Sequence, residues 1–232
     1  MMYYPMYFDP TYILVLMGVV ICLIASAKMN STFSRYSRVR NHSGMTGRDA
    51  AEQILHREGL YDVRIEHISG NLTDHYDPKA GVIRLSDSVY ASSSVAAIGV
   101  AAHEAGHAVQ YAVGYVPIKV RNAVIPLSQF GSSLSMPVLL IGLLFNQGIL
   151  VQLGIVLFST VALFQLVTLP VEFDASSRAL KTLEGYQLLD SQETQMAGKV
   201  LKAAALTYVA ALLSSLAQLF RLIMLYGRRN DD

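Results

Sequence analysis

Charged residues are scarce in this sequence. They make up 15% of its 232 residues, whereas hydrophobic residues make up 53%, and a typical soluble domain carries about 25% charged residues. The deficit is concentrated, because 10–27, 122–171 and 203–220 contain no Asp, Glu, Lys or Arg. An ordinary soluble domain is therefore excluded. The net charge of +1 gives no indication of nucleic-acid binding.

Cysteine is almost absent as well. Cys22 is the single cysteine and lies inside an apolar run, so it has no partner for an intramolecular disulfide. A disulfide framework within the chain is excluded, and we expect this thiol to face lipid.

The charge-free runs have the length of membrane-spanning helices. A span needs about 20 apolar residues, because the hydrocarbon core is about 30 Å thick. The longest run can hold two spans, and the Asn-Gln-Gly segment at 146–148 offers a turn between them. We therefore predict a hairpin with spans near 126–145 and 149–169. The apolar run 203–225, which Arg221 interrupts near its end, predicts a last span.

Residues 11–27 predict a first span. Their end resembles a signal-peptide cleavage site, but a signal peptide needs a positive segment before its apolar core, and no Lys or Arg precedes residue 11. By the positive-inside tendency, the basic residues that follow place residue 28 onward in the cytoplasm: Lys28, Arg35, Arg38, Arg40 and Arg48. The prediction is a multi-pass protein of the cell membrane, with anionic lipid near the basic segment 29–46.

Between the first span and the hairpin, the patterns predict a small α+β domain. A helix is expected to begin at Thr46 and to end at Gly59. Apolar and polar residues alternate at 63–68, which is typical of a strand. A second strand at 81–85 is expected to pair with an extended substrate by edge addition. A helix over about 88–113 follows, with a serine as its N-cap.

The sequence His103-Glu104-Ala105-Gly106-His107 lies on that last helix. Residues four apart share a helix face, so His103 and His107 can bind one zinc ion. Catalytic zinc sites use three protein ligands and a water, whose pKa the zinc lowers. Glu104 lies beside the metal, where it can accept a proton from the water and pass it to the leaving amine. The alternative is a pair of core histidines that neighbouring carbonyls satisfy.

Elimination reduces the number of candidates for the third zinc ligand. Gln110 and Val113 stand where a metzincin has Gly and His, which excludes that class. No His follows His107 and no acidic residue lies between Glu104 and Glu172, so a downstream ligand is Glu172 or a later residue. The second span of the hairpin would return the chain to the membrane face from which the first span started, and Glu172 would lie at that face. An acidic residue at the border of the membrane is costly unless it has a partner. The alternative is an interfacial carboxylate that ends a span.

Other polar side chains are candidates for supporting roles. Asp174 can orient a ligating imidazole or pair with Arg178. Arg178, His75 and Tyr111 are candidates for stabilising the oxyanion of a tetrahedral intermediate. An upstream polar cluster can bind a metal or form a turn with Asx hydrogen bonds, and the turn is favoured: Asp74, His75 and Asp77.

Three stretches carry a resemblance to a known family. They are GNLTDHYDP at 70–78, AAHEAGHA at 101–108 and PVEFDAS at 170–176. Through them, and over nearly its whole length, the chain resembles the bacterial neutral zinc metallopeptidases of the YugP type. It is more distantly similar to the HtpX and CAAX prenyl protease group, which are gluzincins.

The resemblance implies a zincin-like α+β domain with a glutamate as third ligand. The implied zinc ligands are His103, His107 and Glu172, and the implied general base is Glu104. The distant group usually has an Asp four residues after its third ligand. Ser176 stands there in this chain, and the nearby acidic residue is Asp174.

These observations predict a mainly α membrane protein with about four transmembrane helices and a small α+β domain. The predicted segments are 1–28 as first span, 29–121 as cytoplasmic metalloprotease domain, 122–169 as hairpin, 170–202 as third-ligand segment and 203–232 as last span and tail.

The predicted function is a zinc endopeptidase that acts on membrane or membrane-proximal proteins, with one zinc ion, and with a homo-oligomer or membrane partner proteins left open. One alternative is a site-2-type intramembrane protease, in which 95–118 is itself a span. Another is a non-catalytic membrane protein that keeps zinc for assembly, and a fourth protein ligand would indicate that case.

Overall fold

The computed structural model describes residues 9–230, so the first eight residues of the predicted segment 1–28 and the last two of 203–232 lie outside the described residues. The described residues form six helices and a three-stranded sheet. The helices are α1 (Tyr12–Tyr36), α2 (Gly47–Arg57), α3 (Val95–Ala112), α4 (Val116–Leu144), α5 (Gly148–Gly185) and α6 (Ser191–Asn230). The strands are β1 (Arg64–Ile68), β2 (His75–Asp77) and β3 (Val82–Ser86).

Four of the helices, α1, α4, α5 and α6, are long and apolar enough to cross a membrane. This confirms the predicted mainly α membrane fold with its small α+β part. The loop of the hairpin lies where expected, since Asn146 adopts the left-handed conformation with φ 53, which Asn tolerates better than most residues. All four helices extend beyond the apolar runs, because helical hydrogen bonding continues into the polar flanks. Thus α1 ends only at Tyr36, α4 begins at Val116, and α5 and α6 pass residues 170 and 203 without a break.

The chain divides into two compact units. The first consists of the described parts of Met1–Ile24, Val124–Leu166 and Val209–Asp232. Small residues bring its helices close together, as in membrane bundles. A Cβ built on Gly18 would lie 2.7 Å from the Ser214 hydroxyl oxygen.

Large apolar side chains cover the outside of this first unit. Leu16 is 59% exposed, Leu140 64% and Ile149 78%. Such apolar exposure is costly in water but suits lipid. Arg221, the charge within the last apolar run, lies in this unit with its guanidinium 3.4 Å from the Asp9 carboxylate and 4.1 Å from the Tyr12 ring centroid.

The second unit comprises Ala25–Ala123 and Val167–Tyr208. Its helix α2 begins as predicted, because Thr46 and Asp49 form a reciprocal capping box. Gly59 follows the helix end with φ 75, which glycine adopts without strain.

The sheet has the order β1-β3-β2, with β1 parallel and β2 antiparallel to β3. The expectation that 81–85 pairs with a substrate by edge addition is therefore wrong, since β3 is hydrogen-bonded on both sides. The strand β2 was not predicted, because three residues are too few for an alternating pattern to be visible. It forms an edge of the sheet and lies against α3.

The motif helix α3 is the centre of this unit. It begins later than predicted, with Ser94 as N-cap accepting a hydrogen bond from the Ala97 amide. Of its 18 residues, 15 are buried, and it is not among the four candidate spans. These facts argue against the alternative in which 95–118 crosses the bilayer, because a helix enclosed by protein has little surface left to present to lipid.

Candidate metal centre

Two helices of the second unit bring three potential ligands together. Nε2 of His103 lies 3.3 Å from Oε2 of Glu172, and Nε2 of His107 lies 3.7 Å from the same oxygen. One ligand atom from each residue fits within 4.8 Å of the others. Oε2 of Glu172 is buried and has no hydrogen-bond partner among the described residues. Two imidazoles and a carboxylate form a donor set that zinc accepts, so the residues fit the ion that the sequence predicts.

Gly106 permits this approach of α3 to α5. A Cβ built on Gly106 would lie 2.8 Å from the carbonyl oxygen of Ala175, a distance that would force the two helices apart. The glycine within the motif is therefore a packing requirement, and it lets the histidines face Glu172.

Gln110 orients the ring of His107. Its Oε1 lies 3.0 Å from Nδ1 of His107, and its Nε2 donates to the Val171 carbonyl and to Asp174, each at 2.8 Å. Because the amide oxygen can only accept, Nδ1 of His107 carries the hydrogen and Nε2 is the nitrogen left to bind a metal. Gln110 is fully buried. The sequence signal was its place one turn after His107, and its role there was missed.

Replacement of Gln110 by leucine is expected to weaken zinc binding by about 10- to 100-fold, the usual effect of losing a partner that orients a metal-ligating histidine. The affinity is measured by competition with a chelator of known zinc affinity. Gln192→Leu is the matched control, because Gln192 is exposed at the start of α6. An unchanged zinc affinity in Gln110→Leu would show that the ring of His107 needs no such support.

Ser176 lies beside the other histidine. Its hydroxyl oxygen is 3.2 Å from Nδ1 of His103. Asp174 touches neither ring. It accepts from Gln110 and forms an ion pair of 2.6 Å with Arg178, so it can act on His107 only through Gln110.

Arg121 contacts the carboxylate of Glu172 from α4. Its Nη1 lies 3.5 Å from Oε1 of Glu172, on the oxygen that the histidines do not face. Arg121 was not predicted as a site residue, although it is the last basic residue before the charge-free run. A guanidinium beside a buried carboxylate stabilises the charged form and holds its orientation.

The centre is negative enough to attract a cation. Burial of His107 disfavours its charged form, but the carboxylates of Glu172 and Glu104 outweigh burial and raise the pKa of the imidazole. Glu104 is itself 7% exposed and is not a member of the three-ligand group.

A cavity of about 140 Å³ opens beside two of the three potential ligands, His103 and Glu172. Its apolar wall includes Met29 of α1 and Leu201 of α6. Its polar wall is formed by Asp74, His103, Glu104, Glu172, Ser176 and Tyr208. The position of Tyr208 was missed, because a lone Tyr in an apolar run carries no signal in the sequence.

The predicted oxyanion candidates lie elsewhere. Tyr111 donates to the Asn122 side chain, and Arg178 is paired with Asp174. His75 is exposed, with Nδ1 2.9 Å from the Thr73 carbonyl oxygen. None of these three residues is among the described residues that line the cavity.

In the structure, the residues of the upstream polar cluster make separate contacts. Asp74 accepts from the amide and hydroxyl of Ser86 at 2.7 and 2.9 Å, and burial nevertheless raises the pKa of its carboxyl. Asp77 accepts from the amides of Lys79 and Ala80, which is the Asx-type turn that was favoured.

A second group of potential ligands consists of His42, Asp190 and Glu193. Nδ1 of His42 lies 2.7 Å from Glu193 and 3.1 Å from Asp190. The two Glu193 oxygens accept from the amides of His42 and Asp190, and the Asp190 carboxylate accepts from the Glu193 amide. These bonds cap the start of α6 and tie the loop at 42 to it, so the group is explained as a structural contact.

Comparison with known proteins bears on this centre. Residues 11–227 match the family described as "Putative neutral zinc metallopeptidase". The chain belongs to this family. Within the neutral zinc metallopeptidases, it is similar to the protein named "Putative membrane protease YugP" of Bacillus subtilis (strain 168). The two are 45% identical over 208 residues, which cover 90% of this chain and 92% of the relative. No solved structure matches the chain.

Proposed function

We propose that this protein is a membrane-embedded zinc endopeptidase of the gluzincin type, which hydrolyses peptide bonds of membrane or membrane-proximal proteins. The observation that carries the proposal is the convergence of His103, His107 and Glu172, with Glu104 lining the same cavity as His103 and Glu172. The family description and the name of the relative support zinc and proteolysis.

Each residue of the centre has a role in this proposal. His103, His107 and Glu172 hold one zinc ion, which when bound lowers the pKa of water and polarises the scissile carbonyl. Glu104 accepts a proton from the attacking water and donates it to the leaving amine. Gln110 and Ser176 hold the imidazoles through Nδ1, and Arg121 holds the carboxylate of Glu172 through Oε1.

We assign substrate binding to the edge strand β2. This strand ends one side of the sheet, and Asp74, directly before it, lines the cavity. An extended peptide that adds to β2 gains backbone hydrogen bonds and leaves few side chains to be read. Such a protease would cleave unfolded or extended segments with broad specificity.

The centre is proposed to lie on the cytoplasmic side of the cell membrane. The second unit includes 25–123, which contains the basic residues from Lys28 to Arg48, and basic segments stay in the cytoplasm. With four spans, the start of α1 and the end of α6 would lie on the other side. The arrangement puts the cavity within reach of juxtamembrane segments of other proteins.

Two observations favour catalysis over a purely structural zinc. A structural site is closed by four protein ligands, whereas this group of described residues has three. Glu104 would have no function in a closed site, yet it lines the cavity with His103 and Glu172. A fourth protein ligand found on the bound metal would contradict the proposal.

The proposal is tested by metal removal from the full-length protein in detergent micelles. We expect purified protein with about one zinc per chain to cleave an unfolded substrate such as casein, because the water needs the metal to react at neutral pH. Dialysis against a chelator should abolish cleavage, and added zinc should restore it in proportion to the zinc bound. Zinc is measured by atomic absorption and cleavage by fluorescent peptide release. Cleavage that persists in zinc-free protein would rule out the proposed chemistry.

A further inference from the structure

The proposed reaction needs a donor that neither the motif nor the ligands supply. When water attacks a carbonyl carbon, the carbonyl oxygen becomes an oxyanion, and a placed hydrogen-bond donor lowers the energy of that state more than that of the substrate. We propose that the hydroxyl of Tyr208 is this donor. The inference rests on the proposed function, since it concerns the same cavity.

The position of Tyr208 carries the inference. It lies on α6, in the second unit, and lines the cavity together with His103, Glu104 and Glu172. Its side chain is half-buried on the cavity wall that also holds Glu104 and Glu172. A phenol is a strong O–H donor on a side chain with two rotatable bonds. It therefore offers a directed hydrogen beside both the third ligand and the general base.

The other donors of the cavity wall are already engaged. The hydroxyl of Ser176 lies against Nδ1 of His103, and the ring nitrogens of His103 face Ser176 and Glu172. Among the described residues that line the cavity, the hydroxyl of Tyr208 is the remaining side-chain O–H donor.

The positive side chains near the centre are directed to carboxylates. Arg121 is 3.5 Å from Glu172 and does not line the cavity, and Arg178 is paired with Asp174. We therefore assign Arg121 to the positioning of Glu172, and Tyr208 to the reacting carbonyl. The helix α6 thus supplies a catalytic residue as well as a span.

The test is Tyr208→Phe, which removes one oxygen and keeps the ring. Loss of one oxyanion donor typically lowers kcat by about 10²- to 10³-fold, and we expect that loss with little change in KM and with zinc content unchanged. Tyr186→Phe is the matched control, because it also removes one hydroxyl, one that is donated to Glu58 outside the cavity. Thermal unfolding midpoints of both variants should stay close to that of the wild type.

Binding measurements supply a readout besides activity. A phosphinic peptide imitates the tetrahedral state, so Tyr208→Phe should bind it more weakly by about the factor lost from kcat. An uncleaved substrate peptide, measured on a Glu104→Gln background, should bind equally with and without the Tyr208 hydroxyl. Both affinities are obtained by calorimetry on zinc-loaded protein in micelles.

The possible results distinguish a failure of the donor role of Tyr208 from a failure of the proposed peptidase function. Equal weakening of both ligands, or a loss of zinc in Tyr208→Phe, would overturn the donor role and assign Tyr208 to substrate binding or to support of Glu172. Unchanged phosphinic-peptide affinity would overturn it as well. If wild-type protein loaded with zinc neither cleaves peptides nor binds the phosphinic peptide, the proposed function itself fails.

Discussion

Replacement of Glu104 by glutamine is expected to abolish detectable cleavage and to leave the zinc content unchanged. General acid–base groups contribute about 10²- to 10⁴-fold to a rate, and Glu104 performs both proton transfers in the proposed reaction. Its carboxylate lines the cavity but does not belong to the three-ligand group. Zinc per chain and turnover of an unfolded substrate are measured on the same preparation.

The matched control for this variant is Glu184→Gln. Glu184 is exposed near the end of α5, so the same loss of one charge should leave turnover at the wild-type rate. A Glu104→Gln protein that retains zinc and still cleaves would remove Glu104 from the mechanism. A Glu104→Gln protein that loses its zinc would instead show that the carboxylate takes part in holding the metal.

Replacement of Glu172 by alanine is expected to remove most of the zinc, and cleavage with it. Loss of a partner outside the ligand set already costs about 10- to 100-fold in metal affinity, and loss of a ligand should cost more. Two histidines alone leave the ion with two protein ligands, fewer than catalytic zinc sites use. Zinc is measured after dialysis against buffer without metal.

The structure indicates a second consequence of this change. Arg121 lies 3.5 Å from the Glu172 carboxylate, so alanine at 172 leaves a partly buried cation without its partner. Glu172→Gln separates the two effects, because an amide oxygen can still accept from Arg121 but binds zinc poorly. We expect Glu172→Gln to fold like the wild type and to lose zinc, and Glu184→Ala to keep it. Full zinc retention in Glu172→Gln would exclude Glu172 as a ligand.

Local physics made much of this protein predictable from its sequence. The bilayer sets the length of a span, so charge-free runs were sufficient to indicate four apolar helices. The spacing of His103 and His107 needs only the helical period to place both on one face. The capping box at Thr46 and the turn at Asp77 also involve residues two or three positions apart. Such features need no knowledge of the rest of the chain.

Contacts between distant residues required the tertiary structure. Elimination narrowed a downstream third ligand to Glu172 or a later residue, but the distances from Glu172 to the histidines depend on how α5 packs against Gly106 of α3. The links from Gln110 to Val171 and Asp174 span 61 and 64 positions. Arg121 and Tyr208 could not be identified as site residues from the sequence, because a single Arg or Tyr forms no periodic pattern and no motif spacing.

The order of the strands in the sheet also required the tertiary structure. Alternation in a sequence identifies a strand but not its neighbours, so the central place of β3 could not be foreseen, and β2 was too short to show alternation. The sequence by itself determined which reactive side chains are available, namely two histidines and a glutamate on one helix next to charge-free spans. Only the tertiary structure decided which partners surround them, because burial and packing select contacts among residues that the chain keeps far apart.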